Sequence, residues 1–315
     1  MSDQIDVVIV CFNRYELTCS CLRHLRAQTV GHHVIVVDNG STDETRARLQ
    51  GDWPEVQVER FEENHGFSQA CNRGVAAGSG EHVVLLNNDV DCSPDFLEQL
   101  IAPLRDESVG SVAALLLQAD GERVDAIGFT ADVTLAAFSR HRNRSPAGAD
   151  GDTSILLGPG GCAGAYRRAA WEQVEGLDET LHFYMEDVDL AVRLRMAGWR
   201  AVAQPSAVAV HLGSATLGHQ RSASQRSYGG FGRGYLLRRY QLLQGRGALR
   251  TIVTEALVVC ADIAISRDLI ALRGRLAGWR AGAHKPSLGH PPADSLDSAI
   301  SFRDSLARRW QTYGA

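Results

Sequence analysis

The sequence predicts an α/β protein built on a doubly wound, mostly parallel β-sheet flanked by helices, with a mainly helical extension at its C-terminal end. Three observations carry this expectation. Short apolar runs alternate with segments of helical periodicity through the first ~90 residues. Several of these runs are continuous rather than alternating, the mark of strands buried on both faces. Beyond about residue 215 the pattern gives way to Gly-, Ser- and Arg-rich sequence and then to helical segments. The chain is therefore divided into residues 1–215, which carry the sheet, and residues 216–315, the extension.

Val7-Val8-Ile9-Val10 is the first strand, and residues 15–28 follow as a helix with Leu17, Cys21, Leu22 and Leu25 on one face. His33 to Val37 begins the second strand, which ends at Asp38, and Ser41-Thr42-Asp43-Glu44 caps a short helix. Residues 56–60 form a third strand, 67–77 a helix, and Val83 to Leu86 a fourth strand that runs into Asn87. Successive β-α-β units give parallel strands, and ligands of such sheets bind beyond the carboxyl ends of the strands. Three polar groups stand at those ends: Cys11-Phe12-Asn13-Arg14, Asp38-Asn39-Gly40-Ser41 and Asn87-Asn88-Asp89-Val90-Asp91.

Further along, a helix begins near Pro94, Val109 to Leu117 is a strand, residues 139–153 read as a mobile loop, and 169–175 form a helical turn. The run Gly158-Pro159-Gly160-Gly161-Cys162-Ala163-Gly164-Ala165 fits either a close backbone approach to a ligand or a tight turn in the core. Glu186 to Gly198 is a helix stopped by its glycine, and residues 201–210 are a strand ending at His211. Residues 216–234 are rich in Gly, Ser and Arg. Residues 235–282 are helical and Arg-rich, as at Arg238, Arg239, Arg246 and Arg250, and a polar linker and one short amphipathic helix follow.

Composition bounds the function. A formal charge of −5 argues against a protein whose main task is gripping nucleic acid, while 44% hydrophobic residues supply a sizeable core. The seven Cys, at 11, 19, 21, 71, 92, 162 and 260, are odd in number and lack a CxxC pair; they are expected as reduced core residues in a cytoplasmic setting. The N-terminus enters a strand without a basic and apolar leader. The apolar stretch from Ala256 to Ile265 is too short to span a bilayer, which takes ~20 residues.

Two acidic clusters concentrate the chemistry. Asp89 and Asp91 at the end of a buried strand suit a hard divalent cation, Mg²⁺ or Mn²⁺, in a tight turn; an Asp-rich cap on the following helix reads equally well. In the second cluster, Asp187 heads a stripe of Leu190, Ala191 and Leu194 on one helix face. A carboxylate beside a helix N-terminus and at the edge of a dry pocket suits a general base. Glu186 and Asp187 also fit simple N-terminal helix charge. Asp189 and Arg193 read as an i, i+4 surface ion pair.

Taken in order, these segments resemble the family 2 inverting glycosyltransferases of the GT-A fold. The resemblance rests on Val8-Ile9-Val10-Cys11-Phe12-Asn13-Arg14, Val36-Val37-Asp38-Asn39-Gly40-Ser41-Thr42-Asp43, Asn64-His65-Gly66-Phe67, Asn72-Arg73-Gly74 and Leu86-Asn87-Asn88-Asp89. It continues through Gly176-Leu177-Asp178-Glu179, Glu186-Asp187-Val188-Asp189-Leu190, Ala197-Gly198-Trp199 and His211. It implies a nucleotide-sugar donor. Asp38 then bonds the pyrimidine base, with Cys11, Phe12 and Asn13 around it and Arg14 toward the diphosphate. Asn39, Asn64, Gly66, Asn72 and Asn88 join the nucleotide-binding positions. It further implies Asp89 as metal ligand, assisted by Asp91 and His211, and Asp187 as the base beside Glu186.

Asn87 and Asn88 stand where the family's motif is acidic, which removes charge from the metal site. The Asn-Asn-Asp form and the Arg-rich tail look closest to rhamnosyltransferase-like members, which implies dTDP-rhamnose, or otherwise a UDP-sugar, and cell-surface polysaccharide assembly. The acceptor is then a glycan or a lipid-linked glycan. The tail suits either peripheral contact with the inner face of a membrane or packing on the catalytic domain, with a homodimer as a further outcome. The alternatives are a nucleotide-sugar-binding module weakened by Asn87 and Asn88, and a nucleotidyltransferase.

Overall fold

The computed structural model describes residues 5–151, 154–213, 222–245 and 247–314. The expected N-terminal alternation forms as β1 (Ile5–Cys11), α1 (Tyr15–Arg26), β2 (His33–Asn39), α2 (Thr45–Asp52), β3 (Gln57–Phe61), α3 (Phe67–Ala77) and β4 (His82–Asn87). There follow β5 (Val90–Cys92), α4 (Phe96–Ile101), β6 (Val109–Leu117), β7 (Val124–Ala126), β8 (Phe129–Ala131) and β9 (Ala137–Ser139). Then come β10 (Ala163–Arg167), α5 (Arg168–Gln173), α6 (Glu186–Met196) and β11 (Arg200–His211).

The main sheet runs β3-β2-β1-β4-β10-β6-β11-β5, with β7 paired to β6. It is parallel from β3 through β4. β10 then lies antiparallel to both β4 and β6, and β5 antiparallel to β11. β6 and β11 are again parallel, so the expected mostly parallel sheet forms, made mixed by β10, β5 and β7. β10 is reached through a long excursion rather than a crossover helix, so it enters the sheet from the opposite end.

Helices cover both faces. Val7 and Ile9 of β1 pack toward α1 and α4, where Leu22, Leu25, Phe96 and Leu100 are buried. Val8, between them, points to the other face, against Cys71 and Val75 of α3 and Leu190 and Leu194 of α6. The strand period of two divides one apolar run between two cores.

The extension comprises α7 (Ala223–Arg239), α8 (Ala248–Ser266), α9 (Ile270–Gly282) and α10 (Phe302–Gly314). The expected boundary at residues 215 and 216 lies outside the described residues, as does Arg246. The Gly-, Ser- and Arg-rich stretch 216–234 contains most of α7. Ser222 and Gln225 start that helix with a reciprocal capping box. The glycines that lower its helix propensity serve packing instead. A Cβ on Gly234 would lie 2.0 Å from the Arg275 carbonyl oxygen, and one on Gly278 1.9 Å from that of Phe231. α7 and α9 therefore touch backbone to backbone.

Three expectations change. The Asp189–Arg193 pair forms, with Arg193 Nε 2.7 Å from Asp189 Oδ2, but Asp189 is 0% exposed. α7 covers it, and the hydroxyl of Tyr240 donates to Asp189 Oδ1 at 2.8 Å. The stretch 139–153 is anchored rather than mobile where described: Arg140 is buried and donates to Ser154 Oγ at 2.9 Å, and a 3-10 turn spans Pro146–Gly151. Cys260, expected in the core, is exposed on α8, whereas five other cysteines are buried and all seven are free thiols.

Much of the Arg content of the tail is internal. Arg233 donates to Glu255 at 2.8 Å and to the Thr134 and Leu135 carbonyls, and Arg275 and Arg309 reach the same carboxylate. Burial alone would raise the Glu255 carboxyl; Arg233, Arg309 and Arg275 outweigh it and hold it at about 2.

The α7–α9 contact has a direct test. Gly278→Ala should destabilise the chain by about 1–3 kcal/mol in denaturant titration, because the methyl group must displace backbone. Gly229→Ala on α7 meets nothing within 4 Å and should be neutral or stabilising by up to ~1 kcal/mol. Equal effects of the two substitutions would refute the close approach.

Candidate active site

The ends of β1, β2 and β3 build the first polar group. Asn13 and Arg14 both adopt left-handed backbone, with φ of 58° at each. This turns the chain so that Asn13 N–H donates to Ser41 Oγ at 2.8 Å and Arg14 N–H to Asp43 Oδ2 at 2.9 Å. Asn13 Oδ1 accepts from Thr42 N–H at 2.9 Å in return. The two strand-end loops are thereby latched together, with Phe12 exposed beside them.

Asp38 is buried. Its Oδ1 accepts from Ser41 N–H at 2.9 Å and its Oδ2 is paired with Arg60, a partner the sequence did not signal. Both carboxylate oxygens are thus engaged inside the fold, the side chain being 1% exposed. The Cys11 thiol is pushed up to about 12, first by burial and then by the charge of Asp38, so it stays protonated and is no nucleophile. Asn39 is buried and shapes the next loop, accepting from His65 N–H at 3.0 Å and donating to the Gly66 carbonyl at 3.0 Å. Asn64 Oδ1 accepts from Gly66 N–H at 3.0 Å. Asn72 instead faces the 177–179 segment, bonding Leu177 through both amide atoms.

The second group surrounds β5. Asp89 Oδ1 is buried and makes no hydrogen bond, and His211 Nε2 lies 3.5 Å from it. His211 Nδ1 is 2.8 Å from Asp125 Oδ2 on β7, and Cys162 Sγ is 3.8 Å from Nε2. Asp125 thus orients the imidazole, a role with no signal in the sequence. Burial works to lower the His211 pKa, but Asp125, Asp89 and Cys162 outweigh it and push it up to about 12. A Cβ on Gly213 would lie 2.0 Å from Asp89 Oδ2, so only glycine fits against that carboxylate.

Asp91 does not join this group. Its carboxylate accepts from Ser20 Oγ at 3.0 Å and lies 3.2 Å from His24 Nδ1, both on α1. Asn88 likewise turns to α1, donating to Thr18 Oγ1 at 3.0 Å. Among the described residues, no three His, Cys, Asp or Glu side chains are placed to hold a metal ion by themselves.

The third group stands at the N-terminus of α6, after two residues of left-handed backbone, Tyr184 and Met185. Asp187 Oδ2 accepts from Gly161 N–H at 3.1 Å and Oδ1 from Val188 N–H at 2.8 Å. The small-residue run resolves into two uses. Gly158 and Gly164 pack, since a Cβ on either would lie 2.6 Å from Ala191 or Pro159. Gly160 and Gly161 leave space over the two carboxylates, the nearest atom to a Cβ on Gly161 being Glu186 Oε1 at 3.6 Å. One peptide further, Cys162 accepts from Asn87 N–H at 2.9 Å. The 160–162 turn therefore joins the α6 carboxylates to the β4–β5 end.

Burial raises both acids. Glu186 goes to about 8, first through burial and then through the charge of Asp187, and its Oε2 has no hydrogen-bond partner. Asp187 is raised by burial and held back by the Val188 and Gly161 N–H groups. The pair can thus hold one neutral acid and one carboxylate side by side beneath Gly161.

This makes a test of sign. Folding captures a proton on Glu186 that the unfolded chain releases above about 4.5, so its contribution to stability falls as pH rises from there toward 8. Glu186→Gln mimics the protonated acid. The variant should gain stability over wild type across that window, by on the order of 1–3 kcal/mol at its upper end. A difference in melting temperature that stays flat with pH would contradict the assignment.

The family model described as "Glycosyl transferase family 2" matches residues 6–174, more than half of the chain. An N-acetylglucosaminyl-diphospho-decaprenol L-rhamnosyltransferase of Mycobacterium tuberculosis is 30% identical over 210 residues, covering 56% of this chain and 66% of that protein. A pre-mycofactocin glycosyltransferase of Mycobacterium tuberculosis is 31% identical over 194 residues, covering 61% of this chain and 40% of that protein. The chain thus matches under two thirds of the length of each. The structure of a mannosyltransferase, PcManGT from Pyrobaculum calidifontis, solved with GDP-Man and Mn²⁺, superposes with a TM-score of 0.56 at 19% identity, covering 99% of this chain and 85% of that one. The fold is that of the GT-A glycosyltransferases, and the chain belongs to glycosyl transferase family 2.

Proposed function

We propose that the chain is an inverting glycosyltransferase that moves a sugar from a nucleoside-diphosphate donor to an acceptor hydroxyl. The observation that carries this reading is Asp187, oriented by two backbone N–H groups at the head of α6 and facing the Gly160–Gly161 opening. Asp187 takes the acceptor proton as the hydroxyl oxygen attacks the anomeric carbon. The nucleoside diphosphate leaves from the opposite face, so the configuration inverts. Glu186, beside it, keeps a proton at neutral pH and spares the pocket a second negative charge.

The donor end is assigned to Cys11–Arg14, Asp38, Asn39, Asn64 and Gly66 for the nucleotide. Asn72 and Asn88 act by positioning the 177–179 segment and α1. Asp89 and His211, oriented by Asp125, would hold a divalent cation together with the donor diphosphate only once His211 gives up the Nε2 proton that now faces Asp89 Oδ1 at 3.5 Å. When bound, Mg²⁺ or Mn²⁺ supplies neutralisation of the charge on the leaving group. Asp91 stands outside that set and serves to hold β5 against α1. The mannosyltransferase solved with GDP-Man and Mn²⁺ supports the metal. The name of the mycobacterial L-rhamnosyltransferase supports rhamnose as the sugar and a lipid-linked glycan as acceptor; dTDP as its carrier, ahead of UDP, and a place in polysaccharide assembly are the expectations of the family resemblance. The family match removes the nucleotidyltransferase alternative.

Turnover of a panel containing dTDP-rhamnose and UDP-hexoses, with Mg²⁺ or Mn²⁺, tests the reading. Failure to bind or turn over any of them would return the chain to a non-catalytic module. Asp187→Asn should lower kcat by about 10²–10⁴-fold with donor affinity retained. Because burial raises Asp187, the wild-type rate should fall on acidification at a higher pH than an ordinary aspartate would give. Asp89→Asn should instead abolish the dependence of donor binding on the metal, as read by thermal shift.

A further inference from the structure

Helix α8 is built inside out. Its inward face buries Thr251, Thr254, Glu255, Val258 and Asp262. Its outward face carries Leu249, Ile252, Val253, Leu257 and Cys260, spaced by three and four residues and all exposed. Leu249 is 73% exposed and Leu257 47%. The charged side chains of α8 are drawn inward: Glu255 to its three arginines, Arg250 to the Ile300 carbonyl at 2.8 Å, and Asp262 to the buried side. A water-facing helix would show the opposite arrangement.

α9 continues the surface with a different pattern. Leu269, at its cap, and then Arg273, Leu276 and Arg280 recur along one face, and all are exposed. Arg267, also exposed, marks the junction of the two helices. Both helices turn their buried faces to α7, α9 through Gly274 and Gly278, α8 through the Glu255–Arg233 pair. α7 in turn packs on the catalytic part, where a Cβ on Gly232 would lie 2.7 Å from the Tyr184 carbonyl oxygen. The outward faces of α8 and α9 therefore look away from the sheet.

Charge identifies what covers this face. Between residues 247 and 282 the exposed charged residues are Arg267, Arg273 and Arg280, with no exposed acidic residue among them. They lie inside an extension, residues 222–315, that carries 14 Lys and Arg against six Asp and Glu, a formal +8. Two copies meeting through the α8–α9 face would bring Arg267, Arg273 and Arg280 of both together, with no exposed acidic residue between 247 and 282 to pair with them. An anionic surface attracts them, and long arginine side chains at its edge can place their guanidiniums among headgroups while apolar groups enter. Among the described residues no helix is long and apolar enough to cross a membrane, so α8 would lie in the interface plane.

We propose that the α8–α9 face docks on an anionic phospholipid bilayer, with the α8 stripe entering the acyl boundary and Arg267, Arg273 and Arg280 at the headgroups. This placement holds the family 2 domain at the surface where a lipid-borne acceptor resides. It rests on the exposed face and the charge, not on the donor or base assigned above, so vesicle binding and sugar transfer can fail independently.

The test is co-sedimentation of the full chain with vesicles of phosphatidylglycerol, with phosphatidylcholine vesicles as the comparison. Wild type should bind the anionic vesicles preferentially and release as salt is raised. Ile252→Glu combined with Leu257→Glu should lower the bound fraction by at least about tenfold. Arg273→Glu with Arg280→Glu should remove the preference for phosphatidylglycerol. Circular dichroism of each variant separates a lost surface from a lost fold. Wild type that ignores anionic vesicles overturns the proposal, as does binding untouched by both pairs of substitutions in folded protein. A wild-type dimer in light scattering that Ile252→Glu and Leu257→Glu dissociate would assign the face to a second copy and also overturn it.

Discussion

The site depends on the antiparallel insertion of β10 between β4 and β6. Parallel strands deliver their carboxyl ends to one edge of a sheet, and loops that follow them gather there. A strand running the other way delivers its amino end to that same edge. Ala163 at the start of β10 pairs with Leu86 near the end of β4, and the Cys162 carbonyl accepts from Asn87 N–H. The Gly160–Cys162 turn is thereby pinned beside the β4–β5 end. Its next N–H group, at Gly161, reaches Asp187. Were β10 parallel, this turn would emerge at the far edge, and the α6 carboxylates would have no fixed relation to Asp89 and His211.

α6 is held from both sides by different means. Leu190 and Leu194 rest on the sheet, while Val188, Ala191 and Val192 meet Tyr235, Leu236 and Tyr240 from the extension. Asp189 would be a costly buried charge if left alone. Arg193 neutralises it and the Tyr240 hydroxyl satisfies its second oxygen. Tyr235 in turn bonds Asp178 in the segment leading to α6. The helix that carries the proposed base is therefore supported by the extension, so packing changes in α7 are transmitted to the head of α6.

The extension follows an inverted logic, with its ionic groups gathered inside and much of its apolar surface outside. Glu255 with three arginines fills the space between α7, α8, α9 and α10, and glycines of α7 and α9 lie directly against backbone carbonyls of the other helix. Arg content, which by itself suggests a cationic surface, is in large part consumed by this network. The arginines left at the surface sit where apolar side chains also face outward, and that coincidence gives the face its character.

By itself the sequence determined the strand and helix order through β4, the helix from Glu186, the strand ending at His211 and the family resemblance. Those features are encoded locally, in apolar periodicity, caps and short ordered motifs that survive without knowledge of neighbours. Only the tertiary structure decided which polar residues meet. Asp89 and Asp91 are two residues apart and chemically identical, yet one faces His211 and the other Ser20 and His24. Asp125 and Arg60, which hold His211 and Asp38, come from positions with no local signature. Asp189 reads as a surface residue until α7 is laid over it, and Cys260 reads as core until the polar side of α8 proves to be the buried one. In each case the deciding contact joins segments far apart in the chain, and no local pattern records the partner across the gap.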